Sequence, residues 1–379
     1  MSNFVGIGLV LGFLLPHYST AFLLVNPLLC LFYKCFKQNR GFYRYNWIVL
    51  MPLVLTLLIN LPQEVNVKSI MACFSLILYF FCFPVVGNVK IPNFYFYFIL
   101  SFIILTQLAY VLNVSVLVKF VDTYYPISEE DRALIHMQKT ITAENMMNFR
   151  LGGLYHNPNQ CARSLNMLTA VFLILNNDKP IRKLLPFIII SFYAVLLTGS
   201  RTGFFVGSAI LLLFLFVDKK ISAFLRYSLL AVLLVVFVFM LVSGSNMYRG
   251  FDVIQGFNNS ANVKFDVFKY YISTENSMFR LLIGYLDNKR LVVTSDLMAY
   301  FDCDYGNIVF CYGFIGFIAI MVYFFTIFKR MDKTERVFFV LLLWMISSAI
   351  ISSYRASFLF IILLSLVYSS NKKKSSILK

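Results

Sequence analysis

The sequence predicts an all-α protein that crosses a membrane many times and carries two long loops on one side. Of its 379 residues, 60% are hydrophobic and only 13% are charged, and the mean hydropathy is +0.78. Apolar runs near the length of a membrane-spanning helix recur along the whole chain. The net charge of +16 is concentrated in short segments between these runs. That distribution indicates a topology signal rather than nucleic-acid binding.

The apolar runs give the order of the helices. The first run, Phe4–Tyr33, is interrupted at residues 16–20, so it predicts either one long tilted helix or two short ones. The total is therefore eleven or twelve spans. The remaining spans are predicted near 46–61, 68–86, 94–112, 164–177, 184–199, 203–217, 227–243, 306–328, 337–352 and 356–370.

The basic residues orient these spans. Short loops and the tail that fall on one side of the membrane carry Lys34, Lys37, Arg40, Arg44, Lys90, Lys179, Arg182, Lys183, Lys219, Lys220, Arg226, Lys329, Arg330, Lys333, Arg336 and Lys372–Lys374. Excess Lys and Arg mark the cytoplasmic side. The C-terminus is therefore predicted to be cytoplasmic, in a single integral membrane domain covering residues 1–379.

Two long segments, 113–163 and 244–305, then lie on the extracytoplasmic side. Long loops in a compact protein are usually functional. The second loop contains nearly balanced basic and acidic residues. Such a loop suits a site that binds one anionic group and also needs a carboxylate.

A polar turn at 198–203 places Arg201 at the extracytoplasmic membrane edge. Gly199 and Gly203 allow close backbone approach on either side of it. One interpretation is an arginine whose guanidinium reaches out of the bilayer and anchors a helix end. The other is an anion site, because guanidinium binds phosphate oxygens in a bidentate fork.

A second polar cluster, 152–160, includes Tyr155, His156, Asn157 and Asn159. Asn can cap a helix that starts near Arg163, but the density of amide groups also suits a sugar-contacting surface. His156 is a possible general base, because imidazole titrates near neutrality; a histidine in a loop can also be incidental.

Acidic residues gather before the helix that begins near residue 306. Asp302 and Asp304 there are favoured by the helix macrodipole, although burial would also raise the pKa of Asp304 toward that of a general base. The chain has no metal-ligand spacing and no phosphate-binding glycine-rich loop. We therefore expect neither a metal nor another cofactor.

Three motifs together resemble the Wzy-type repeat-unit polymerases of the O-antigen polymerase and ligase superfamily. They are Gly153 with Asn157-Pro158-Asn159 and Ala162, then Leu197–Gly203, then Asp302–Gly306 with Tyr312–Gly316. The resemblance implies a glycosyltransferase with a multi-helix fold of the lipid-linked-donor (GT-C-like) type. Its donor would be a glycan on undecaprenyl pyrophosphate. Ligases of the superfamily usually carry a histidine where this chain has Asp304-Tyr305, which favours the polymerase.

The polymerisation of lipid-linked repeats that the resemblance implies gives each candidate residue a role. Departure of pyrophosphate builds negative charge, which preorganised arginines would stabilise; the candidates are Arg201, Arg280 and Arg290, in that order. Asp304, followed by His156, is the candidate base for the acceptor hydroxyl. The substrate-binding candidates are Arg150, Gly153, Asn157, Asn159, Arg163 and Ser200.

Two other functions fit parts of the pattern. One is an O-antigen ligase that transfers glycan to the lipid A core, and the other is a flippase for lipid-linked oligosaccharides. Transporters usually place charged residues midway along helices, whereas the polar residues here gather at one face. The expected partners are the lipid bilayer, the lipid-linked glycan, a chain-length regulator and a flippase.

Reporter fusions test the topology. Fusions at Arg44, Lys220 and Lys333 should report a cytoplasmic location, and fusions at Lys139 and Lys264 an extracytoplasmic one, because of the Lys and Arg asymmetry. Alkaline phosphatase and fluorescent-protein activities measure the two locations. A cytoplasmic signal at Lys264 would overturn the assignment of the active face.

Overall fold

The structure, a computed structural model, describes a large part of the chain, and most of that part is helical. The described residues are 2–14, 22–36, 45–63, 65–83, 91–112, 114–124, 151–155, 158–176, 179–217, 222–224, 227–228, 231, 235, 268–273, 275–286, 304–344, 360–361 and 364–365. None of them lies in a β-strand. The predicted all-α class is confirmed for these residues.

The named helices follow the apolar runs. They are α1 (Ser2–Leu14), α2 (Phe22–Phe36), α3 (Asn46–Asn60), α4 (Val67–Cys82), α5 (Asn93–Val111), α6 (Ser115–Tyr124), α7 (Pro158–Leu175), α8 (Ile181–Leu197), α9 (Arg201–Val217), α10 (Met278–Ile283), α11 (Asp304–Phe328) and α12 (Lys333–Trp344). Within the described ranges, Asn93–Tyr110 and Tyr305–Phe328 are long and apolar enough to cross a membrane. Shorter apolar helices cover Val5–Leu14, Asn46–Asn60, Ser69–Cys82 and Thr202–Phe214.

The helix bounds refine several predicted spans. The first apolar run contains two helices, α1 and α2, which pack on each other. Helix α7 begins at Pro158, well before the predicted start, because proline has the right φ for the first helical position and needs no amide hydrogen there. The predicted spans at 227–243 and 356–370 fall mainly outside the described residues.

The chain divides into two compact units. The first comprises Met1–Lys90, Asn258–Arg336 and Ile346–Lys379, and the second comprises Ile91–Phe257 and Val337–Met345. In the first, α3 packs on α4, α10 and α11, and α2 packs on α4. In the second, α5 packs on α6, α7 and α8, and α9 packs on α7 and α8.

Helix α3 is tied into the first unit by an asparagine at each end. Asn46 and Asn60 are its first and last residues, and both side chains are fully buried. Asn46 donates to the carbonyl of Phe83 at 3.0 Å and accepts a hydrogen bond from the hydroxyl of Tyr323 at 3.2 Å. Buried amides need such partners, so Asn46 fixes how α3 meets α11 and the end of α4.

A break at Gly313 divides α11 into two helical parts. Gly313 has φ +67°, in the left-handed region that favours glycine. The break frees carbonyls on its N-terminal side, and the amides of Tyr285 and Leu286 donate to the oxygens of Phe310 and Cys311, both at 2.9 Å. The segment after α10 is therefore held by the broken helix.

Aromatic rings fill the centre of the second unit. Phe172 of α7 and Phe187 of α8 stack with ring centroids 3.9 Å apart. Phe96 and Tyr97 of α5 meet these rings edge-on at 5.5 and 5.3 Å respectively. Each aromatic pair adds about 0.5–1.5 kcal/mol to the free energy of unfolding beyond the area it buries.

Substitution of Gly313 tests whether the break in α11 stabilises the protein. Gly313→Ala should destabilise the protein by at least about 1–2 kcal/mol, because a residue with a Cβ pays that much for a left-handed φ and its Cβ would collide with the carbonyl of Leu282. Thermal unfolding of the purified protein in detergent measures the change. Ile318→Ala, on the same helix at a side chain that is 56% exposed, is the control. Equal melting temperatures for the two variants would show that the break does not stabilise the protein.

Candidate functional site

Two of the three motifs come together in the second unit. The amide of Leu151 donates to the carbonyl of Leu197 at 3.0 Å, which joins the segment before α7 to the end of α8. Gly203 packs so closely on the side chain of Ala162 that a Cβ at this position would collide with it. We call residues 151–155, the first two turns of α7 and residues 198–203 the glycine-turn cluster.

Gly199 and Ser200 each have a structural role in the tight turn between α8 and α9. Gly199 has φ +58° and ends α8, a common role of glycine at a helix C-terminus. Ser200 is buried, and its hydroxyl accepts a hydrogen bond from the amide of Gly203 at 3.2 Å. Ser200 therefore caps α9, and Arg201 is the first residue of that helix.

Gln107 of α5 holds the glycine-turn cluster in place. Its Nε2 donates to the carbonyls of Leu151 and Ala194, both at 3.1 Å, and its side chain is fully buried. Gly153, with φ +58°, packs on Thr106 and Gln107. Gln107 is not among the residues that the sequence patterns indicated, because its one signal in the sequence is an uncharged amide inside an otherwise apolar run.

Helix α7 directs a polar stripe toward α9. Arg163 is fully buried in its second turn, and Asn159 is half-buried in its first. Asn166 donates to the carbonyl of Gly203 at 2.8 Å, and its oxygen faces Gly207. Because α7 starts at Pro158, Arg163 lies inside the helix rather than in the preceding loop where the sequence placed it.

A small cleft between α7, α8 and α9 continues this stripe. The hydroxyls of Thr169 and Ser191 approach to 2.5 Å across it, and Asn166 and Gly207 line it with apolar neighbours. Polar side chains between apolar helices commonly serve as interhelical hydrogen bonds. The cleft is therefore explained as part of the packing between the three helices.

The first unit contains a separate polar group around Arg280, the Arg280 cluster, formed by Asn60, Tyr271, Glu275, Arg280 and Tyr285. The Nη1 of Arg280 donates to the Oδ1 of Asn60 at 2.8 Å. Its guanidinium carbon lies 5.1 Å from the ring centre of Tyr285, which is a cation–π distance. The hydroxyl of Tyr285 donates to the carboxylate of Glu275.

Local capping places Glu275 and Arg280 in this cluster. The amide of Ser277 donates to Glu275 Oε1 at 3.0 Å, and the hydroxyl of Ser277 accepts from the amide of Arg280 at 3.3 Å. Burial, followed by the charge of Glu275, raises the pKa of Tyr271 well above its usual range. Tyr271 is therefore neutral at physiological pH.

The guanidinium of Arg280 has more hydrogen-bond donors than the described residues engage. Among the described residues, its side-chain hydrogen bonding consists of the single bond to Asn60. A guanidinium presents five N–H donors in a planar fork. The Nε and Nη2 groups of the half-buried Arg280 can accordingly bind two oxygens of one phosphate or carboxylate.

Several predicted site residues lie outside the described residues, namely Arg150, His156, Asn157 and Arg290. Arg201 and Asp304 begin α9 and α11, while the positions of their side chains also lie outside the description. Their predicted roles stay predictions. Within the described ranges, no group of three His, Cys, Asp or Glu side chains could hold a metal ion.

Comparison with known proteins identifies no family. No family model, curated protein or solved structure matches this chain.

Proposed function

We propose that the protein is a membrane glycosyltransferase that polymerises oligosaccharide repeat units carried on undecaprenyl pyrophosphate, at the periplasmic face of the inner membrane. The observation that carries the proposal is the Arg280 cluster. In this cluster the Nη1 of Arg280 donates to Asn60, while Nε and Nη2 make no hydrogen bond to another described residue. Arg280 also belongs to the loop that the charge pattern predicts to be extracytoplasmic. A guanidinium with such donors can bind the pyrophosphate that leaves in the proposed transfer.

The surfaces of the helices support a membrane location. Trp47, Met51 and Leu58 of α3 are each more than half exposed, as are Phe94 and Leu105 of α5. Exposed apolar side chains along several helices suit contact with lipid rather than water. With two helices of spanning length and several shorter apolar ones, these surfaces favour the predicted many-span topology.

The proposed reaction forms one bond and breaks another. The hydroxyl at the non-reducing end of one lipid-linked repeat attacks the anomeric carbon of the sugar at the reducing end of the growing chain. The bond from that carbon to pyrophosphate breaks, and undecaprenyl pyrophosphate leaves with the electron pair. Arg280, together with Arg201 and Arg290, stabilises the charge of the leaving group. Asp304, or His156 in its place, takes the proton of the hydroxyl.

The glycine-turn cluster is proposed to bind sugar. Gly153 and Gly203 let backbone segments approach closely, and Asn157 and Asn159 belong to the same stretch of sequence as Gly153. Arg150, Arg163 and Ser200 complete the proposed binding set. A chain-length regulator and a flippase are the proposed protein partners.

The phenotype of a deletion strain distinguishes a polymerase from a ligase or a flippase. Loss of a polymerase should leave single repeats on the lipopolysaccharide core or in the capsule fraction. Loss of a ligase should instead leave no repeats on the core while long lipid-linked glycan accumulates. Loss of a flippase should trap single lipid-linked repeats on the cytoplasmic side. Gel profiles and lipid extracts distinguish the three, and either of the last two patterns would reject the polymerase.

Arginine-to-lysine substitutions test the proposed phosphate contacts. Arg280→Lys and Arg201→Lys should each lower polymer formation at least about tenfold, because an ammonium keeps the charge but cannot form the bidentate fork. The assay uses purified protein and lipid-linked repeats. Arg336→Lys is the matched control, since Arg336 lies in a predicted cytoplasmic loop and donates to the carbonyls of Met331 and Lys329. Normal polymer from both variants would remove these arginines from the mechanism.

Asp304→Asn tests the proposed base. Loss of a general base should reduce turnover roughly a hundredfold to ten-thousandfold, whereas loss of a helix-terminal charge should cost only about 1 kcal/mol of stability or less. Asp332→Asn is the control, because Asp332 caps the start of α12 by accepting from the amide of Glu335 at 2.9 Å. Near-normal turnover by Asp304→Asn would pass the role to His156, tested as His156→Ala.

A further inference from the structure

We infer that Asn60 is a positioning residue that fixes the direction of the Arg280 guanidinium. The inference rests on the proposed function, in which Arg280 binds the leaving pyrophosphate. Asn60 is remote from Arg280 in sequence and belongs to none of the motifs that indicated the function. It reaches Arg280 because α3 packs on α10 and α11.

The hydrogen bonds of Asn60 leave its amide one orientation. Its Nδ2 donates to the carbonyl of Thr56 at 2.8 Å and to that of Gly284 at 3.4 Å. Its Oδ1 accepts from the Nη1 of Arg280. A flipped amide would face two carbonyls with its oxygen and the guanidinium with its N–H groups, so every contact would become repulsive. The oxygen is therefore directed at Arg280.

Both ends of this arrangement are anchored to the backbone. Thr56, one turn before Asn60, donates its hydroxyl to the carbonyl of Ile283 at 3.0 Å. Gly284 has φ +82°, and a Cβ there would lie 2.5 Å from the carbonyl oxygen of Cys311. The end of α10 and the broken helix α11 thus meet at backbone contact distance. The side chains of Thr56 and Asn60 bind carbonyls at the end of α10, which leaves Asn60 little freedom to move.

Arg280 is consequently held at two points. Asn60 fixes Nη1, and the ring of Tyr285, itself held by Glu275, lies at cation–π distance from the guanidinium. A long arginine side chain otherwise samples many rotamers. With its position fixed, Nε and Nη2 are aimed before the substrate arrives, and prearranged donors contribute most to stabilising charge that develops during the reaction.

Asn60→Ala tests this role, and Thr56→Val provides a matched control. Each variant removes a buried hydrogen bond between α3 and the end of α10, but only Asn60→Ala removes the contact with Arg280. With purified protein and lipid-linked repeats, Asn60→Ala should lower kcat/KM at least tenfold, and Thr56→Val less than threefold. Asn60→Ala in an Arg280→Ala background should cause less than a twofold further loss. Equal losses from Asn60→Ala and Thr56→Val, or a full loss in the Arg280→Ala background, would overturn the inference.

A readout independent of activity separates the inference from the proposed function. The rate at which phenylglyoxal modifies Arg280, followed by mass spectrometry of the peptide, should rise at least threefold in Asn60→Ala and stay within twofold of wild type in Thr56→Val. If the wild-type protein makes no polymer but Asn60→Ala shows this rise, the proposed function fails and the positioning of Arg280 by Asn60 stands. An unchanged modification rate in Asn60→Ala overturns the positioning itself.

Discussion

The described fold depends on buried carboxamide side chains that bind free backbone carbonyls. Asn46 binds the carbonyl after α4, Asn60 binds that of Gly284, Gln107 binds two in the second unit, and Asn166 binds that of Gly203. In apolar surroundings an unpaired backbone group costs several kcal/mol. Each of these side chains therefore gives a hydrogen-bond partner to a backbone carbonyl of another segment and stabilises the packing of the two segments.

The same constraint explains where the glycines occur. Gly199 and Gly313 adopt left-handed backbone conformations at a helix end and a helix break, and both create carbonyls or amides that need partners. At Gly313 the partners are the amides of Tyr285 and Leu286. The break in α11 and the position of the segment that carries Arg280 are thus one structural feature.

This coupling gives the proposed active site its physical basis. A long arginine side chain usually extends into water, but Arg280 is directed by a buried amide and an aromatic ring. Among the described residues, Glu275 accepts hydrogen bonds from Tyr285 and Ser277, and the guanidinium of Arg280 donates to Asn60. The carboxylate and the guanidinium are therefore held by different hydrogen-bond partners.

The sequence by itself determined the helical class, the approximate positions of α3, α4, α5, α8, α9 and α11, and the identification of Arg280 as a candidate, because apolar run length and charge distribution are local properties. It placed the start of α7 too late, since Pro158 was interpreted as a turn residue when it is the first residue of the helix. Only the tertiary structure decided that Asn60 meets Arg280 and that Gln107 joins three segments. These contacts depend on how distant helices pack, and an uncharged amide within an apolar run carries no local signal of its partner.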